Sequence, residues 1–394
     1  MRLQNSLSSL LLSIATLSCG VQLVSARGPP LRDFQQFNSD TPTSQVITGL
    51  YADNSAEAQI VIHDVNGVPS WSWSVDDAKT QAIPADLLAC IQQHTAVPEA
   101  KWANDGSSVI TIYNFAALMI NHLPGDPRDK QITFGVCLNW NGMENTHSLE
   151  VVPDGKIAIA TTCESNTANI KIFDLASGLQ AQSNPVEALN FLPAVHGLVW
   201  DQKDSLLWAV GSYNSPDGTA ESRSALHAYK YAGGVFQPSP LYSFNVSAPT
   251  ILSTEWSGTE YNGWWDGGHD LIGVPNKRQL LISTDLDLHA FDIDSQTFES
   301  GEVVVEKYLP GFTPVDNRVG SNGQALPRSD VKSLSLDGNH HALYVQAAWQ
   351  EVVSYQINRL QNGQAQPGVI YKQQLYRSRW FEDTPAWPKA RIPR

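Results

Sequence analysis

The chain is 394 residues long, 42% hydrophobic and 16% charged, with a formal net charge of −14. That acidic balance argues against nucleic acid, or any polyanion held by bulk charge alone, so an anionic ligand needs a local basic site or a metal. Beyond the first 26 residues no stretch is long and apolar enough to cross a bilayer as a helix, and no membrane partner is expected.

Residues 1–26 read as a secretory signal peptide. Arg2 gives a basic start, Leu10, Leu11, Leu12, Ile14 and Ala15 begin an apolar core, and Val24, Ser25 and Ala26 suit a cleavage site. The expectation is a secreted, extracellular protein whose residues 27–394 form one domain. Residues 46–51, 58–62 and 71–73 then read as three strands of a repeat lacking its first strand, and 85–93 as a short helix. A weak copy of the repeat follows at 100–102, 109–113 and 117–120, with its turn at Asp105-Gly106.

The clearest unit is strand 147–152, a tight Asp154-Gly155 turn, strand 156–162 and strand 170–174. It recurs at 196–201, 206–211 and 226–229, at 269–272, 280–283 and 288–292, and at 330–334, 342–345 and 352–355. The third strands repeat about every 52 to 64 residues, somewhat longer than common propeller repeats. Each unit is a small sheet with two apolar faces, stable only between neighbours. The pattern predicts an all-β fold, a β-propeller of six blades with seven as the alternative count. A strand from residues 368–383 is expected to complete the first blade and close the circle.

Counting back from each turn places His147, His196, His269 and Asp330 at the start of the first strand of four repeats. In a propeller those starts ring the mouth of a central channel, so these residues are expected to converge. Three neutral imidazoles with Asp330 form a candidate site for a divalent metal (manganese, zinc or calcium). Lys101 and Lys332 join the three histidines as candidate catalytic groups. Strand alternation points Glu150 away from the His147 side, and Asp270 away from that of His269. Trp264, Trp265 and Tyr261, in an insertion before His269, are candidate sugar-stacking residues, with Arg318 as a candidate partner for a substrate carboxylate. Trp71, Trp73, Trp200 and Trp208 are expected to pack between sheets, and His227 and His289 to be structural.

Three cysteines follow residue 26: Cys90, Cys137 and Cys163. One disulfide is expected in an oxidising compartment, with its pairing open. Asn245-Val246-Ser247 is a glycosylation sequon. No nucleophile elbow, phosphate-binding loop, dinucleotide fingerprint or HExxH motif is present.

The ordered set Trp71-Ser72-Trp73, His147-Ser148-Leu149-Glu150, His196-Gly197-Leu198-Val199-Trp200-Asp201, Gly268-His269-Asp270-Leu271 and Asp330-Val331-Lys332 resembles a family of secreted bacterial and fungal propeller proteins of unsettled function. More distantly it is similar to the oligogalacturonate lyases and other propeller-fold polysaccharide lyases. That resemblance implies channel histidines, a divalent metal and basic residues acting on uronic acids. Here the histidines are spread one per repeat, whereas the lyases cluster them. Two functions are therefore expected as alternatives: a monomeric polysaccharide lyase on uronate-containing glycans, or a carbohydrate- or protein-binding propeller whose polar channel is structural.

Overall fold

The computed structural model describes residues 44–93, 95–162, 169–216, 220–252 and 263–391. The signal-peptide reading of residues 1–26, Cys163 and Tyr261 lie outside them.

Runs rich in Val, Ile, Leu and Thr, cut by turn residues, form the strands in chain order. First come β1 (Gln45–Leu50), β2 (Gln59–Asp64) and β3 (Pro69–Ser74), then the short helices α1 (Val75–Lys79) and α2 (Ala85–Gln92). The helix expected at 85–93 is α2. Next are β4 (Glu99–Ala103), β5 (Ser108–Tyr113), β6 (Ala116–Asn121) and β7 (Ile132–Cys137). β8 (Thr146–Val152), β9 (Lys156–Thr161), β10 (Ile170–Asp174) and β11 (Glu187–Leu189) make the third group. The fourth is β12 (Gly197–Asp201), β13 (Leu206–Ser212), β14 (Ser224–Ala232), β15 (Val235–Phe236) and β16 (Tyr242–Asn245). β17 (Gly268–Gly273), β18 (Gln279–Thr284), β19 (Leu288–Asp292) and β20 (Thr297–Ser300) precede α3 (Glu302–Tyr308). The last group is β21 (Val331–Leu336), β22 (Ala342–Gln346), β23 (Ser354–Gln361) and β24 (Gln364–Trp380).

The protein is all-β, and the described strands form five antiparallel sheets. Four hold one group each. The fifth is seven-stranded, in the order β21-β22-β23-β24-β1-β2-β3. β24 joins its two halves: Gln364 to Ile370 pair with β23, while Leu375 to Trp380 pair with β1. A C-terminal segment thus supplies the strand that the first repeat lacks. The turns adopt the conformations their residues suggest, with Asp105, Asp154 and Asn276 all at positive φ.

The first strands of successive groups lie against each other at the axis. A Cβ on Gly197 of β12 would meet the Leu271 amide nitrogen of β17 at 2.9 Å, so glycine permits this approach. Trp71, Trp73, Trp200 and Trp208 are buried, as expected of packing residues. Cys90 of α2 and Cys137 of β7 form a disulfide, one of the three pairings left open.

Three of these axial strands carry a β-bulge near their start. The register slips between Thr146 and Ser148 in β8, between Gly268 and Asp270 in β17, and between Val331 and Ser333 in β21. The extra residues are His147, His269 and Lys332. A bulge inserts one unpaired residue and resets the alternation beyond it. Glu150 and Asp270 bond to Lys101 and Arg379 and not to the rings. His147 reaches His196 while Ser148 and Glu150 both meet Lys101, and His269 and Asp270 both contact residues of β24.

Candidate functional site

The site rests on a buried charge layer at the axis. Arg377 is 1% exposed. Its guanidinium donates to Glu99 Oε2 at 2.8 Å and to the backbone oxygens of His147 (2.7 Å), His196 (2.9 Å) and His269 (2.5 Å). One side chain of β24 therefore fixes the starts of three strands from three other sheets. Arg379, two residues on, bridges Glu99 and Asp270. Burial pushes the Glu99 carboxyl up, but Arg379, Lys101 and Arg377 outweigh it and hold the group at about 2. Lys101 donates to Glu150, which also accepts from Lys389 near the C-terminus.

Against this layer stand the three imidazoles. His147 and His196 ring centroids are 4.6 Å apart, and His196 and His269 5.0 Å apart. Tyr376 lies 5.2 Å from the His147 ring and reaches His269 Nδ1 at 3.3 Å. The Nδ1 atoms of both His147 and His196 are buried without a hydrogen-bond partner among the described residues. Burial first, and then neighbouring positive groups including Arg377 and Lys332, hold both rings well below the usual histidine range. Both rings are therefore neutral at ordinary pH. Burial raises the Tyr376 hydroxyl, which keeps its proton.

His269 is differently placed. Its Nε2 meets Asp285 Oδ1 at 2.7 Å, with the Lys332 ammonium 2.9 Å from the same nitrogen. Lys332 also donates to Asp330 Oδ1 at 2.8 Å. Burial works against the Lys332 ammonium, but Asp330 outweighs it and raises its pKa. The ligand atoms of His269, Asp285 and Asp330 lie within 4.8 Å of one another. A divalent metal bound there would have to displace the ammonium already paired with two of the three. The positive field that strips protons from His147 and His196 also opposes a cation. Lys332 thus competes with a metal for these groups, and among the described residues the expected set of His147, His196, His269 and Asp330 is not the one that clusters.

The other expected residues divide clearly. Lys101 contacts Ser148, Glu150 and the Leu198 carbonyl, not the rings. Arg318, offered as a carboxylate partner for substrate, is buried and donates to Ser329, Asp330 and the Ala347 carbonyl, so it anchors Asp330 instead. Trp264 and Trp265 are half-buried, and the backbone of Trp265 bonds to Pro216. Sequence reasoning missed Tyr376, Asp285, Arg377 and Arg379. The pair of arginines two apart in the segment expected to complete a sheet was the available signal.

His227 and His289 are buried at matching third-strand positions, bonded to Ser243 and Ser300 across the sheet, and burial holds each at about 4. Their native pKa lies below the unfolded value, so the unfolded chain binds more protons between the two. Their stabilisation is complete above about pH 6.5 and is lost as pH falls toward 4, roughly 3 kcal/mol each. His63, His147 and His196 act in the same direction. Asp266, raised to about 7 by burial and Asp285, acts in the opposite one, as do Asp330, Glu382 and Asp383, also raised by burial, whereas the lowered carboxyls of Glu99, Glu150, Asp270 and Asp285 act with the five histidines. Urea unfolding at pH 7 and 4.5 should show a lower midpoint at 4.5. His227→Gln and His289→Gln should each flatten that dependence, and an unchanged slope in both would contradict the assignment.

No protein-family model matches the chain, and no curated protein does. Among solved structures it is similar to a protein of unknown function from Bacteroides caccae, at 11% identity and a TM-score of 0.49, over 86% of this chain and 98% of that one. It is also similar to the hydrazine synthase of Kuenenia stuttgartiensis, at 9% identity and a TM-score of 0.45, over 84% and 80% of the two chains.

Proposed function

We propose that this chain is a secreted, monomeric, six-bladed β-propeller that cleaves uronate-containing glycans as a polysaccharide lyase, with proton transfer at the histidine mouth. The seven-stranded sheet counts as two blades, and the supporting feature is β24, whose halves pair with β23 and β1. The Cys90–Cys137 disulfide suits an oxidising compartment.

The observation that carries the chemistry is the pair of closely set neutral imidazoles, His147 and His196, beside the Tyr376 hydroxyl and the Lys332 ammonium. Elimination needs a base for the C5 proton, an acid for the leaving oxygen, and positive charge near the uronate carboxylate. An imidazole takes the C5 proton, the C4=C5 double bond forms as the C4–O bond breaks, and the Tyr376 hydroxyl protonates the departing oxygen. The imidazolium then returns its proton to Tyr376 through water. Lys332 and Arg377 provide the positive field, and no step requires a metal.

The test is incubation of the mature chain with polygalacturonate, alginate and glucuronoxylan, following the ultraviolet absorbance of unsaturated uronate. Product should form equally with and without EDTA. A silent panel, with divalent metal also supplied, defeats the lyase reading.

A second reading has its own support. Glu99, Asp270, Arg377 and Arg379 of the charge layer bond to one another and to backbone oxygens, as a structural plug would. Trp140, Phe191 and Tyr213 are 60%, 65% and 51% exposed, on connections at the strand ends that carry the histidines. A binding propeller would hold glycan there through aromatic stacking. Binding heat from the same panel without unsaturated product selects this reading.

A further inference from the structure

We propose a second ligand site, at the strand ends opposite the histidines: a cleft between the β12–β16 sheet and the β17–β20 sheet that binds the uronate unit of an acidic saccharide. The proposal does not rest on the elimination chemistry above, so either can fail without the other.

The cleft has a volume of about 440 Å³, within the range of roughly 300–1,000 Å³ common to small-molecule sites. Lys203 comes from the turn between β12 and β13, Trp208 and Lys230 from β13 and β14, and Tyr242 from the start of β16. The neighbouring sheet adds Asp294 and Gln296 from the turn between β19 and β20. His196 stands just before β12 and Lys203 just after it. The five residues of β12 span about 17 Å, so the cleft and the histidine mouth are separate places.

One wall is aromatic. Tyr242 is 37% exposed, and its ring lies nearly parallel to that of the buried Trp208, with 12° between the planes and 6.4 Å between the centroids. A ring held in this way presents a flat apolar face against which the C–H face of a pyranose packs.

The charges select an acid. Lys230 donates to the Asp204 backbone oxygen at 2.6 Å, which fixes its ammonium without engaging a carboxylate. The two carboxylates of that turn, Asp201 and Asp204, are both taken by Arg278. Lys203 is exposed, and among the described residues neither lysine forms a salt bridge. Two ammonium groups thus share the cleft with one further carboxylate, the exposed Asp294. The chain as a whole carries a net charge of −14 and repels anions, so a local pair of lysines is what admits one. A uronate matches the set: its carboxylate meets Lys203 and Lys230, one ring face meets Tyr242, and its hydroxyls meet Asp294 and Gln296. Bound there, an acidic chain is anchored to the protein away from the histidine mouth.

The experiment is backbone amide NMR of the full mature chain titrated with galacturonate, with galactose and acetate as controls. Galacturonate has no glycosidic bond at C4, so elimination cannot consume it. Saturable shifts should cluster at residues 203–206, 230, 242 and 293–296. Galactose, which lacks the carboxylate, and acetate, which lacks the ring, should each bind about 10-fold or more weakly. Lys203→Gln and Tyr242→Ala should each weaken galacturonate about 3- to 10-fold. Lys203 is exposed, so that variant should unfold in urea at the wild-type midpoint. No saturable shift in the cleft, shifts confined to the surroundings of His147, His196 and His269, a control that binds as well as galacturonate, or two variants that bind as wild type does, overturns the proposal. If the cleft responds as described but no glycan is cleaved, this site stands and the lyase reading alone falls.

Discussion

Replacing Arg377 by leucine is expected to destabilise the protein by about 5 kcal/mol, near the upper end of what breaking a buried ion pair costs. The reason lies in how many groups lose a partner together. Glu99, fully buried, keeps Arg379 but loses 2.8 Å contact with a second guanidinium, and the backbone oxygens of His147, His196 and His269 lose a donor where water cannot readily replace it. An unsatisfied buried acceptor costs about 1–3 kcal/mol on its own. Arg377→Lys keeps the charge but cannot fork to four acceptors, so it should recover only part of the loss. Urea unfolding of both variants checks this. A leucine variant within 1 kcal/mol (about the size of an ordinary surface change) of wild type would show that the axial layer holds without its hub.

His147→Ala should have the larger effect on activity and a small one on stability. Removing one of the two neutral imidazoles of the proposed elimination is expected to reduce kcat about 10²–10⁴-fold. The fold should persist, because the ring is half-buried and the His147 backbone oxygen still accepts from Arg377. His269→Ala should behave in the opposite sense, since it strands Asp285 and Lys332 and so lowers stability. The wild-type pH–rate profile provides a further check. His147 is held below the usual histidine range, so activity should stay level as pH drops through 6.5 and fall only at more acid pH. An acid limb centred at or above 6.5 assigns the base elsewhere.

The convergence of the three histidines was legible because a repeat is a ruler. Equal offsets from equivalent turns put His147, His196 and His269 at equivalent places, and ring centroids 4.6 and 5.0 Å apart are the outcome. The completing strand was legible because an incomplete repeat at one end calls for an extra strand at the other. The bulges were not: a slip of one residue at His147, His269 and Lys332 leaves no mark in a hydrophobic pattern, yet it decides which side chains face the axis. The partners of each charge were equally hidden. Lys101 and Lys332 look alike in sequence, but one is consumed by Glu150 and the other sits between Asp330 and His269. Arg318 looked like a free cation and is instead a buried strut.

The position of Arg377 and Arg379 far beyond Glu99 and Asp270 in the sequence has a consequence for synthesis. Glu99 and Asp270 leave the ribosome long before their counter-charges exist, and β1 emerges before the strand that covers its edge. Until residues 375–380 appear, the nascent protein carries acids it cannot bury and a strand edge open to other chains. Ribosome-stalled chains ending before Leu375 should therefore remain protease-sensitive at both places, and become resistant together once Trp380 has cleared the exit tunnel.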